Sequence, residues 1–202
     1  TTFFTLADTV RAKSYRDTKE ECHGWIGLRF QTEPGGPGSE IHLHVRLLDE
    51  SNARQADALG ILGVNLIYGA FHLRSSLDTF LESLLDDVGR KRVEIDMVDF
   101  TGPAFAAHEY QDRLVALKLV RLGLADAALF GANGEIWQAS DVLWRKPVIL
   151  KRGSFDPITK LNLDMIERGQ AAFQADFGEQ ARDNIEILEI TMHNLLASGA
   201  EV

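Results

Sequence analysis

The segment Lys151-Arg152-Gly153-Ser154-Phe155-Asp156-Pro157-Ile158-Thr159 has the residue types and spacing best suited to chemistry. It follows an apolar run, Pro147 to Leu150, and precedes a helical pattern that begins near Leu161. A strand that breaks at Gly-Ser and re-enters as a helix leaves backbone N–H groups at the helix start. Those donors and the positive end of the helix dipole hold a phosphate or a carboxylate. Gly153, Ser154, Thr159 and Asn162 are the candidate anion or nucleotide ligands, with Lys146, Lys151 and Arg152 as nearby positive charge. The alternative is an ordinary strand-to-helix connection, with Asp156 as cap and Pro157 as an early helix residue.

A second constellation is histidine-based. His42 and His44 stand at i, i+2 in the alternating run Ile41 to Leu48, so on a strand both project to one face, with Arg46. His23 lies just before the partnering strand and can come close. Three imidazoles on one face are a donor set for zinc or a similar divalent ion. The alternative is the wet face of an antiparallel hairpin. Cys22-His23 sets a thiol next to a base; because neighbours in sequence rarely point at each other, a structural Cys is the simpler reading.

The third constellation is Glu94-Ile95-Asp96-Met97-Val98-Asp99, before the turn Thr101-Gly102-Pro103. Simple alternation puts Glu94 and Asp96 on one face, opposite Ile95 and Met97. In open α/β sheets ligands bind beyond the carboxyl ends of the strands. Asp99 and the Gly153 loop both lie at such ends. If the two strands are neighbours, Asp99 faces the phosphate site, the usual way Mg²⁺ is held. Otherwise the carboxylates are outward charges protecting an edge strand.

Gly-Ser-Phe-Asp-Pro-Ile-Thr resembles the opening motif of the nucleotidyltransferases that make nicotinate dinucleotide or dephospho-coenzyme A. The likeness runs on through Leu163-Asp164-Met165-Ile166-Glu167-Arg168-Gly169, which looks like the first helix of that superfamily. The resemblance implies a loop that cradles the phosphates of Mg-ATP. It also implies a Thr or His, followed three residues later by a His, that stabilises charge on the transferring phosphates. Carried over, Thr159 takes the first of these positions and Ser154 contacts phosphate. Asn162 stands in the place of the second His, and Leu161 in that of the Gly before it. The whole chain also resembles part of a larger bacterial family of unestablished activity, on Glu21-Cys22-His23-Gly24-Trp25, Ala58 to Asn65, Glu94 to Met97 and the Gly153 segment. Members of that family carry nicotinate-nucleotide adenylyltransferase labels.

These residues need elements to position them. Trp25 to Gln31 and Ile41 to Leu48 read as a hairpin joined by the turn-rich Glu33 to Ser39. Helical spacing predicts a helix capped by Ser51 or Asn52 and running to about His72, and a second from Ser76 to Gly89. After them come a strand over Val93 to Phe100, a helix over Gln111 to Leu122 and a short strand at Ala127 to Phe130. A turn at Gly131 to Gly134 then leads to Glu135 to Gln138. A strand at Val148 to Leu150, a helix at Leu161 to Phe173 and a strand at Ile185 to Thr191 complete the order. The pattern predicts an α/β fold: an N-terminal antiparallel hairpin, then β-α-β units in a mixed sheet flanked by helices. Residues 1–202 read as a single α/β domain cut from a longer protein, and a split into two lobes would fall near residues 75–92.

The totals set bounds on partners. Lys plus Arg number 21 and Asp plus Glu 30, a net charge of −9. Phosphate backbones need a basic stripe, so the balance argues against nucleic acid. The apolar stretch Leu59 to Phe71 is too short to span a bilayer and reads as core or as a homo-oligomer face, with Gly60 and Gly63 allowing close approach. One cysteine and no secretory signal fit the cytoplasm. The leading expectation is a domain that binds a nucleotide or another small phosphorylated ligand, of degenerate adenylyltransferase type. The alternatives are a non-catalytic structural or oligomerisation domain of a larger cytoplasmic protein, and a metal-binding domain built on His42 and His44.

Overall fold

Period-two alternation in three strands creates the main core. The computed structural model describes residues 2, 4–11 and 22–200; Glu21 of the motif quoted above lies outside them. Strands β1 (Phe4–Arg11), β2 (Cys22–Gln31) and β3 (Gly38–Leu47) are followed by α1 (Asn52–His72), α2 (Leu77–Ser83) and β4 (Val93–Thr101). The four strands form one sheet in the order β1-β2-β3-β4, with every neighbouring pair antiparallel. Cys22, Ile26, Leu28 and Phe30 of β2, Ile41, Leu43, Val45 and Leu47 of β3, and Val93, Ile95, Val98 and Phe100 of β4 are all buried on one face. Full burial of such a side chain contributes about 1.5–3 kcal/mol each.

Helices cover that face. Ala58, Leu62, Leu66 and Ala70 of α1 and Leu77, Phe80 and Leu81 of α2 join the same core. So do Val115 and Leu119 of α3 (Asp112–Arg121). Ser51 caps α1 by accepting from the Arg54 amide. Gly69 lets α2 approach, since a Cβ there would lie 2.8 Å from the Phe80 ring. In α2, Asp78 receives Lys118 and Arg121 of α3. Its carboxyl is held below the ordinary range, first by the Lys118 hydrogen bond and then by the Lys118 and Arg121 charges, against a desolvation that raises it. The sheet's opposite face carries His23, Trp25, His42, His44, Arg46, Glu94, Asp96 and Asp99.

Beyond α3 the ribbon β5 (Leu129–Phe130) and β6 (Ile136–Trp137) closes through the expected Gly131–Gly134 turn, where the Gly131 amide donates to the Glu135 carbonyl at 2.8 Å. The helix α4 (Ala139–Val142) precedes β7 (Val148–Arg152), α5 (Lys160–Phe177), β8 (Ile185–Glu189) and α6 (Met192–Ala197). Strands β7 and β8 are parallel, from Val148↔Ile185 to Arg152↔Glu189, with α5 as the crossover. The fold is thus α/β, an antiparallel sheet followed by a β-α-β unit and flanking helices. The chain divides into two compact units, Thr1–Ile136 and Trp137–Val202; residues 75–92 fall inside the first. Among the described residues, no helix is long and apolar enough to cross a membrane.

Candidate functional site

The Gly153 loop is positioned by β7 and α5. The Gly153 amide donates to the Glu189 carbonyl at 3.0 Å, which extends the parallel ladder and engages that donor. Phe155 then takes φ +54°. Its ring lies over Gly153, where a Cβ would come within 3.0 Å of it. The glycine thus makes room for the aromatic ring. The cap of α5 is Thr159, not Asp156, and Pro157 lies before the helix rather than in its first turn. Thr159 Oγ1 accepts from the Asn162 amide at 3.3 Å and Asn162 Oδ1 accepts from the Thr159 amide at 3.4 Å. This reciprocal capping box uses both residues that the motif places at the phosphate.

Lys151 donates to the Asn162 carbonyl at 2.7 Å, which leaves two of its three ammonium donors for other acceptors. Arg152 pairs with Glu189 at 2.7 Å, and that hydrogen bond raises the guanidinium pKa further. Ser154 is exposed in the loop between β7 and α5. Asp99 does not belong to this arrangement through strand pairing, because β4 pairs with β3 and β7 pairs with β8.

The sheet face opposite the core carries the second group of residues. His42 and His44 do share that face, but their partners differ. His42 is 43% exposed and sits between Asp99, at 3.5 Å, and Glu40, at 3.8 Å. His44 is fully buried. Its Nδ1 lies 2.6 Å from Asp96 Oδ1 and its Nε2 lies 3.1 Å from His23 Nδ1. The Trp25 ring packs on it at 5.1 Å. With both nitrogens engaged, His44 presents no lone pair to a metal. Among the described residues, no three His, Cys, Asp or Glu side chains form a group able to hold a metal ion. Cys22 points into the core while His23 points away from it, so the thiol and the imidazole of that dipeptide are on opposite faces.

A β-bulge makes the His44–Asp96 contact. The register runs Leu43↔Val98 and His44↔Met97, then slips to Val45↔Ile95. Asp96 is the extra residue, and such insertions re-aim a side chain. Met97 consequently shares the outer face with Asp96 instead of opposing it. Trp25, His42, Met97, Val98, Asp99, Asp112, Glu135 and Ile136 line an open groove of about 570 Å³ beside this array. Alternation alone misses the bulge, and nothing in the sequence marks Asp112 and Glu135 as neighbours of Asp99. The chain matches no protein-family model, no curated protein and no solved structure.

Proposed function

We propose that the second unit binds a small phosphorylated ligand, of nucleotide type, at the Gly153–Thr159 loop. One observation carries this reading: the loop joins the carboxyl end of a parallel strand directly to the N-terminus of an 18-residue helix. That placement brings oriented amides and a helix dipole to one point. Ser154 and Lys151 supply the side-chain donors, while Gly153, Thr159 and Asn162 shape the turn and the cap. A Mg-ATP complex of adenylyltransferase type is the ligand to try first, within a cytoplasmic protein. The net charge of −9 disfavours nucleic acid as the partner.

The test is a thermal-shift titration with ATP, NAD and coenzyme A, with and without Mg²⁺. Ligand at 100 times its Kd stabilises the unit that binds it by about 2.7 kcal/mol. The expected result is a saturable rise in Tm that disappears in Ser154→Ala. No rise with any of the three sinks the reading. Thr159→Ala is the poorer probe, since loss of the cap alone costs about 1 kcal/mol.

A second reading, an oligomerisation surface, is favoured by apolar exposure in the same unit. Leu150 is 55% exposed, Leu161 67% and Met165 53%, although parallel strands and their crossover helices are ordinarily covered on both sides. A mass that rises with concentration in light scattering, unchanged by nucleotide, is the result that favours it.

A further inference from the structure

We propose that the face of the four-stranded sheet opposite the core is an acid–base site, with His23 as the residue that exchanges a proton with a bound ligand. His44 and Asp96 are its positioning residues. The site lies within the first unit, and its argument does not rest on the Gly153 loop.

The proton inventory follows from the partners. Asp96 can only accept, so the His44 Nδ1 at 2.6 Å carries a proton. In the neutral ring Nε2 is then an acceptor, and the His23 Nδ1 at 3.1 Å is the donor. His23 is left with its lone pair on Nε2, on the other side of a partly exposed ring. A carboxylate, a buried imidazole and a partly exposed imidazole thus form a directed chain of hydrogen bonds. Its middle ring, His44, is fully buried, and its outer end meets solvent. The same logic holds in hydrolase triads, where a buried acceptor fixes the tautomer of a catalytic imidazole. Here a second imidazole extends the reach of the carboxylate by one ring.

The surroundings support a built site. The extra residue of the β4 bulge is Asp96 itself, so the irregularity in the sheet is what supplies the carboxylate. Trp25 walls His44 off from solvent on one side, and the rings of His23 and His44 lie 5.3 Å apart. The nearby Arg46 is paired with Glu94, so its charge is matched within the same row of the sheet.

The ligand this arrangement takes is a proton donor of hydroxyl type, an alcohol or a held water. In the step, His23 Nε2 removes the proton and the O–H electron pair stays on oxygen. The imidazolium that forms keeps its Nδ1 proton on His44, and Asp96 offsets its charge through the His44 Nδ1–H. Return of the proton to product or solvent restores the starting chain without any other reactant.

The test uses diethyl pyrocarbonate on the full chain, with each histidine followed by mass spectrometry. The reagent is attacked at a carbonyl carbon by a free imidazole nitrogen; a C–O bond breaks, ethyl carbonate leaves, and the ring sheds its other proton. His72, His108 and His193 are exposed and serve as internal references. The expected result is that His23 reacts several-fold faster than these references despite its lower exposure. His44 should be protected. Asp96→Asn should bring His23 down to the reference rate while the fold, checked by circular dichroism, persists. A His23 rate at or below the references, or one indifferent to Asp96→Asn, overturns the proposal. Nitrogen-15 NMR of the unsubstituted protein decides the matter independently of any variant: His23 must be the Nδ1–H tautomer, and an Nε2–H tautomer refutes the assignment.

Discussion

At the scale of single residues, two glycines show how closely the backbone is packed around the sheet. Gly24 sits where a Cβ would lie 2.3 Å from the Thr9 carbonyl of β1, so β1 closes on β2 only because that position has no side chain. Gly102, at φ +95°, ends β4, and a Cβ there would fall 2.7 Å from Ser39 Cα. The close approach lets Ser39 Oγ accept from the Ala104 amide at 3.1 Å. Gly102→Ala combines a strained backbone with a clash against main chain, and an expected loss of about 1–3 kcal/mol is readable by urea unfolding. The histidines teach a related lesson. The sequence pattern places His42 and His44 on one face correctly, but it carries no signal for the largely shielded carboxylate beside one and the more exposed carboxylates beside the other.

At the scale of elements, the contact between α2 and α3 has a pH signature. The folded pKa of Asp78 is lowered, so its contribution is fully present above the unfolded value and is lost as pH falls through the folded one. Asp78→Asn should therefore cost up to about 1 kcal/mol at neutral pH, less at high salt because the carboxylate is 42% exposed. The difference from the parent protein should close as pH drops below about 4, a comparison that paired thermal melts make directly. Elements with a strong period were legible beforehand. A cap at Ser51 or Asn52, of which the structure uses Ser51, the strands on either side of the Glu33–Ser39 turn and the helix after Gln111 follow from alternation, helical spacing and turn residues. Strand β1 was not legible, because Phe4 and Leu6 are 50% and 39% exposed and an edge strand needs no clean alternation. The Asp156 cap failed for a local reason: Thr159 and Asn162 can satisfy each other's amides, and that reciprocal pair sets the helix start three residues later.

At the scale of the whole molecule, the two units bury unequal cores. Nearly all the buried apolar side chains lie within Thr1–Ile136, whereas α5, β7 and β8 contain no buried residue. Local stability follows buried apolar contact. Amide exchange should therefore persist longest in β2, β3 and α1, with β7, α5 and β8 exchanging well before them; equal protection of both units would contradict this. Cys22, the chain's one cysteine, is 2% exposed inside the larger core. The thiol is thus a built-in reporter: a bulky thiol reagent meets it only when the antiparallel sheet opens, and the second unit has no sulfhydryl to add background. The labelling rate, followed without engineering the chain, times the opening of one unit alone.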